Sequence, residues 1–400
     1  MDLRSANPYW LLKHGIPRVY PSLKKNIRTG VVIMGSGISG SLVAWYLHHA
    51  GVEVTVVDRR HTGMGSTVAS TGLLQYEIDT PLHKLVDYVG EQQAVTSYQL
   101  CGKAIYDLQR ICKQLHSGSE FSIRPSFQYA SYKKDVPALQ EEYAIRQQYG
   151  FAIEWLTEGD IKKLYGFAAP AGILSADGAE VNAYGLTNEL LYYLHKKGVG
   201  VYDHTNIEKI KHLPRSVELT TSEGHIIKGK KLVIACGYES QQYIPFKVCH
   251  FQSTYAIVSE PLQKPVAWHQ QSLIWETAIP YTYLRTTTDN RILIGGKDDD
   301  SSNPEKREMH LNQKAKALEK QFRSLFPAIP FYTDFKWAGT FASTRDGLPF
   351  IGSIRQRPNT FFALGFGGNG ITFSVVAAEI LRDLITGKPN KHTAIFRFGR

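Results

Sequence analysis

The sharpest hydrophobic pattern in the chain lies near its start. Thr29-Gly30 leads into the unbroken apolar run Val31-Val32-Ile33-Met34, the signature of a strand buried on both faces. Gly35-Ser36-Gly37-Ile38-Ser39-Gly40 follows. Ser41 to Ala50 then reads as a helix stopped by Gly51, and Val52 to Asp58 as a second strand. Strand, helix and strand within about thirty residues make a βαβ unit.

Further along, spaced apolar residues predict helix over 82–116 and again over 136–149. Residues 121–131 and 153–156 read as strands, 184–197 as a helix ended by Gly198, and 217–221 and 231–235 as strands. The segments 251–259, 281–287 and 291–295 alternate as sheet strands do, and 305–326 is a charged amphipathic helix. Residues 360–387 read as a strand, a glycine loop and a helix. No internal repeat or low-complexity linker interrupts this order. The mixture predicts an α/β nucleotide domain with an antiparallel sheet domain inserted into it.

Composition narrows the class. The chain has 400 residues, 43% of them hydrophobic, enough for a sizeable core. The formal net charge of +10 is spread without a long Lys/Arg block or a basic stripe interleaved with aromatics, so nucleic acid is not the expected partner. Cys101, Cys112, Cys236 and Cys249 form no CxxC pair and no Cys/His cluster with zinc spacing, so no metal is expected and a reducing, cytoplasmic setting fits. Residues 1–29 contain no apolar run long enough for a signal peptide, and no stretch of about 18 apolar residues predicts a transmembrane helix.

The candidate chemistry sits in two glycine clusters. Gly35-x-Gly37-x-x-Gly40 follows a strand, opens a helix and is followed by a strand ending in Asp58. In that context the first glycine permits the tight turn, the second lets backbone approach a pyrophosphate, and the third lets helix pack on strand. Free N–H groups and the helix dipole favour the phosphates, and Asp58 can accept from ribose hydroxyls. The motif alone fits NAD or FAD, but its place ahead of some 340 residues favours a large flavoprotein. The second cluster, Gly365 to Gly370, lies between an apolar strand and a helix. It can present N–H groups to the pyrimidine end of a reduced flavin.

At these residues the sequence resembles the D-amino acid oxidase-like FAD-dependent oxidoreductases, the family of glycine oxidase, sarcosine oxidase and related amine oxidoreductases. The resemblance rests on VVIMGSGISGSLVAWYLHHAGVEVTVVDRR (31–60), GSTVASTGLL (65–74), KLVIACGYES (231–240), YTYLRTTTDNRILIGG (281–296), WAGTFASTRDGLPFIG (337–352) and FFALGFGGNGITFSVVAAEILRDLITG (361–387). It implies a Rossmann-type FAD-binding domain from residues 1–85, 171–245 and 335–400. Residues 86–170 and 246–334 would form a substrate domain of mixed antiparallel sheet plus helices. Gly35, Ser36, Gly37, Ile38, Ser39 and Gly40 would hold the pyrophosphate, and Asp58 and Arg59 the adenosine end, with Ile207 against adenine. Ser66, Ser70, Thr71, Gly72 and Leu73 would line the flavin, with Cys236, Gly237 and Gly339 beside it. Gly367, Gly368, Asn369, Gly370, Ile371 and Thr372 would meet its pyrimidine edge.

Departures from the family pattern carry information. Gly339 stands where sarcosine oxidases place the cysteine that carries flavin, which implies non-covalent FAD. The arginine that grips an amino-acid carboxylate is replaced within Gly339-Thr340-Phe341-Ala342, leaving Arg345 or Arg285 as substitutes. The strand Arg291 to Gly295 offers no lysine where oxygen-reactive relatives have one, and Lys297 is shifted. The acceptor is therefore oxygen or another oxidant. The expected reaction is hydride transfer from the carbon beside a neutral amine, in a small amine or amino acid, to flavin N5. Tyr255, Tyr281, Tyr283 and Trp337 are the candidate pocket, Arg285 the anion holder, and His250 a possible acid–base group. Competing readings are a flavin dehydrogenase of a 2-hydroxy acid or polyol phosphate, a flavoprotein acting on modified tRNA, and a non-catalytic FAD-binding protein.

Overall fold

A computed structural model describes residues 2–400. Two sheets organise it. The smaller, of eight strands, runs in the order Phe350–Ser353, Thr360–Leu364, Ile226–Ile234, Ile27–Met34, Val54–Val57 and Gly200–Tyr202. From Thr360–Leu364 to Gly200–Tyr202 every neighbour is parallel. Val31 to Met34 and all of Val54–Val57 are buried, as both-faced burial demands of continuous apolar runs. Ser216–Thr221 and Ile207–Leu213 extend this sheet as an antiparallel ribbon.

One face of the small sheet carries the helices Ile38–His49, Ala183–Lys196 and Gly370–Thr386. Leu82–Val89 and Glu91–Gln114 join the same core through Leu82, Leu85, Tyr98, Ile105 and Leu108. The Ser39 and Ser374 hydroxyls meet at 2.7 Å and tie the first of these helices to the last.

The larger sheet has ten strands. Its path is Arg4–Ser5, Thr333–Ser343, His250–Ser259, Ile292–Asp299, Thr282–Thr286, Leu273–Glu276, Ser122–Tyr129, Ala171–Glu180 and Leu73–Gln75, with Ile153–Thr157 paired to Ala171–Glu180. All pairs are antiparallel except Leu273–Glu276 with Ser122–Tyr129. Helix Pro304–Leu325 covers one face with Leu311, Ala315, Leu318 and Phe322, the stripe that its 3.6-residue period places on one side.

The strands cross the division expected from sequence. Ala171–Glu180 and Thr333–Ser343, which the sequence groups with the nucleotide unit, are strands of the large sheet. Helix Glu91–Gln114, grouped with the substrate unit, packs in the core of the small one. Ala171–Glu180 carries two glycines and is buried over most of its length, so it shows neither the alternation nor the apolar run that marks a strand.

Candidate functional site

A single long cleft runs between the two sheets. One end is lined by Asp58, Arg59, Arg60, Asn206, Ile207, Glu239 and Gln242, and the other by Gln75, Thr254, Tyr281, Tyr283, Asp298 and Phe341. Its middle is the first glycine cluster. Gly35 has φ +110°, and a Cβ there would lie 2.4 Å from the Ala235 carbonyl oxygen. A Cβ on Gly37 would lie 2.9 Å from Thr67 Oγ1, and one on Gly40 only 1.8 Å from the Gly35 carbonyl oxygen. Gly35 thus turns the chain, Gly37 leaves no side chain beside Thr67, and Gly40 lets the helix pack on the strand.

Asp58 ends its strand as expected. Its carboxylate accepts from Ser36 N at 2.7 Å, Ser36 Oγ at 2.9 Å and Arg60 N at 2.9 Å. Ser36 thus serves Asp58 rather than the cleft wall. Arg59 and Arg60 both pair with Glu239, the latter with Nη1 at 3.0 Å from Oε2.

The segment Ser66 to Leu73 forms one wall, and Ser66 Oγ is buried there with no hydrogen-bond partner. The opposite wall brings Cys236, Gly237, Gly339, Gly367, Gly368, Gly370 and Ile371 together. Gly40, Asn369 and Thr372 stand behind these walls. Asn369 Nδ2 donates to the Gln75 and Glu77 carbonyls at 3.1 and 2.8 Å, and Thr372 Oγ1 to the Asn369 carbonyl at 3.0 Å, so both shape the loop. The Gly368 N–H, expected to face the flavin edge, donates to Asp79 at 2.8 Å.

The expected catalytic residues divide. Tyr283 and Tyr255 line the cleft, but the Tyr255 hydroxyl donates to Asp299 at 2.7 Å and is committed away from a ligand. Three others stand outside it. Arg285 is 2% exposed, and its Nη1 is paired with Glu180 Oε2 at 3.2 Å. Its guanidinium lies over Trp10 at 5.4 Å. His250 is exposed and paired with Asp300. Arg345 is exposed in the turn after Thr333–Ser343. No lysine or histidine lines the cleft among the described residues.

Sequence reasoning missed Asp298, Thr254, Gln75, Tyr238 and Asp79. Asp298 lies in the run Lys297-Asp298-Asp299-Asp300, which reads as a solvated strand end. Register alone separates them: Asp298 lines the cleft, while Asp299 holds His310 at 2.7 Å and Lys314 at 2.5 Å. Burial first, and Asp79 with it, push the Asp298 carboxyl up to about 6 against the opposing influence of Thr254 and Lys314. The Cys236 thiol donates to the Met34 carbonyl at 3.2 Å. Burial and the neighbouring Asp58 and Glu239 push it well above the usual thiol range.

A βαβ glycine cradle, an acid at the second strand's end and a cleft lined from both sheets define a dinucleotide-binding oxidoreductase architecture. The FAD dependent oxidoreductase family matches residues 30–384, and the chain belongs to it. The glycine oxidase of Bacillus licheniformis is 24% identical over 91% of this chain and 95% of its own. YhfW of Bacillus subtilis (strain 168), which carries a Rieske 2Fe-2S name, is 22% identical over 97% of this chain and 74% of its own. The crystal structure of glycine oxidase from Geobacillus kaustophilus shares the fold with a TM-score of 0.78 at 19% identity, over 93% of this chain and 99% of that one. The protein is an FAD-dependent oxidoreductase. The cleft fits the cofactor: each glycine of the cradle stands where a Cβ would intrude, and Ser66 Oγ lacks a protein partner.

Proposed function

We propose that the protein oxidises the C–N bond of a small amine or amino acid, with FAD held non-covalently along the cleft. One observation carries the reading: the glycine cradle and the paired rings of Tyr281 and Tyr283 line the same cleft, and among the described residues no histidine lines it. Oxidation of a hydroxyl needs a base to take the hydroxyl proton; His250 is outside the cleft, and Asp298 is, among the described residues, the one carboxylate on the chamber's wall that could serve. An amine that arrives neutral needs no such base.

Gly35, Gly37 and the first turn of Ile38–His49 would hold the pyrophosphate, Asp58 the ribose, and Ser70 to Leu73 the ring system. Bound FAD supplies the acceptor for a hydride. The chain orients the substrate carbon. The rings of Tyr281 and Tyr283, 5.8 Å apart, exclude water and disfavour protonation of the reacting nitrogen. The resulting imine hydrolyses in water.

The test is anaerobic addition of amines, N-methyl and D-amino acids, and 2-hydroxy acids to the yellow protein. Bleaching of the flavin by an amine compound is the expected result. Bleaching by hydroxy acids alone, or failure to take up FAD, overturns the reading. With no lysine on the cleft wall, colour is expected to return slowly in air, which points to an acceptor other than oxygen.

A further inference from the structure

We propose that the chamber selects an amine with no carboxylate beside its reacting carbon and with a second, cationic nitrogen, and that Asp298 holds that second ammonium while the reacting nitrogen is neutral. This deepens the C–N reading and rests on it.

The charged side chains that line the cleft are Asp58, Arg59, Arg60, Glu239 and Asp298. The first four gather at the adenosine end, where both arginines are engaged by Glu239. Asp298 alone lines the chamber. Its Oδ1 is buried and has no hydrogen-bond partner, an arrangement that costs free energy unless a ligand supplies a donor. Lys314 is the nearby cation, but its Nζ is held by Asp299 at 2.5 Å and the Lys297 carbonyl at 2.7 Å.

A second carboxylate stands at the chamber's rim. A Cβ on Gly368 would lie 2.6 Å from Asp79 Oδ1 and 3.1 Å from the Tyr281 hydroxyl, so loop, acid and phenol converge. Tyr281, Tyr283 and Tyr238 also line the cleft, and aromatic rings attract cations. Among the described residues no cationic side chain lines the chamber. Arg285 Nη1 pairs with Glu180, and its Nε and Nη2, buried without a hydrogen-bond partner, lie behind Gly72 and not on the cleft wall. Phe341, on the strand from which an arginine would reach inward, presents an apolar ring. A zwitterionic amino acid would bring its carboxylate against two acids, which is selection by repulsion as well as attraction.

The experiment is calorimetric titration of the FAD-loaded protein, under nitrogen, with 1,4-diaminobutane and N-methyl-1,4-diaminobutane, and with glycine, D-alanine and acetate. Amines are expected to bind and the carboxylates not. In Asp298→Asn, amine Kd is expected to rise on the order of tenfold or more, as for loss of a hydrogen bond to a charged group, at unchanged FAD content. Tighter binding of glycine or D-alanine than of the amines overturns the proposal, as does unaltered amine binding by Asp298→Asn. If that variant does not fold, the wild-type ranking decides alone. Binding reads charge preference without turnover, so amine binding with no flavin bleaching would instead fail the C–N reading.

Discussion

The indole Nε1–H of Trp10 donates to the carbonyl of Ser70 at 2.7 Å. Trp337 does the same to the adjacent Ala69 carbonyl at 2.9 Å. Two indoles, 0% and 1% exposed, thus fix neighbouring carbonyls of the segment whose next residues wall the cleft. A short helix at the start of the chain, Tyr9–His14, in this way braces the cleft wall. Trp10→Phe keeps the ring and removes the bond. It is expected to cost about 1 kcal/mol and to weaken FAD binding about fivefold. Flavin fluorescence during titration of the apoprotein measures this, and an unchanged Kd with an unchanged melting temperature would remove Trp10 from the site.

The cradle gives a second prediction. A Cβ at Gly40 meets the Gly35 backbone at 1.8 Å, and neither backbone can yield without opening the helix from its strand. Gly40→Ala is expected to yield colourless protein. Gly37→Ala meets only the Thr67 hydroxyl and is expected to keep some FAD. Equal flavin content in the two variants would contradict this ranking.

Arg285 is predicted to matter for stability and not for substrate. It and Glu180 are 2% and 1% exposed, and Glu180 also receives Arg124 Nε at 3.0 Å. Removal of one partner of a buried pair costs about 3 kcal/mol, here moderated by Arg124. Arg285→Ala should therefore lower the unfolding midpoint in urea while leaving the KM of the remaining folded enzyme within about twofold. A KM rise confined to carboxylate substrates would restore Arg285 as an anion holder.

The residues explain why some of this was legible in the sequence and some was not. The cradle was readable because each glycine's duty is local: Gly35 turns, Gly37 clears, Gly40 packs, all within one βαβ unit. The segment from Ser66 to Leu73 was pointed to by the family resemblance, and the loop from Gly367 by its cluster of glycines between a strand and a helix. Asp298 was not readable, because its neighbours Asp299 and Asp300 have the same chemistry and pleat direction alone sends one of them into the chamber. Arg285 misled for the matching reason: a strand-interior arginine shows its charge in the sequence but not its partner. Glu180 lies 105 residues away in a strand that the pattern concealed.

FAD is expected to leave on acid precipitation. Gly339 offers no sulfur, and a Cβ placed there would have only Ala69 Cβ at 3.7 Å and the Leu3 carbonyl at 3.9 Å for near neighbours. Cys236 does line the cleft, but its thiol is held protonated by burial and two nearby acids, and a thiol in that state is a poor nucleophile. Yellow colour in the acid pellet, and flavin mass on the Cys236 peptide, would show this wrong.

Asp298 ties amine binding to pH. Its carboxyl titrates near pH 6, pushed up first by burial and also by Asp79 and Asp299, with Thr254 and Lys314 pulling it back; Tyr281 and Tyr283 face it as neutral phenols. Only the carboxylate attracts a cation. Affinity for 1,4-diaminobutane, a dication throughout, should be flat above about pH 7 and fall as pH drops through about 6, approaching tenfold per unit as one proton competes with the ligand. Stability moves the other way. The folded protein holds this proton more tightly than the unfolded chain does, so the group favours folding at low pH, and that contribution is lost as pH rises through about 6. Calorimetric Kd and the urea midpoint, each followed from pH 5 to 8, should therefore change in opposite directions for this group. Asp298→Asn should flatten the binding profile and remove the matching part of the stability profile. A binding profile that falls below pH 6 equally in wild type and variant would place the titrating group elsewhere.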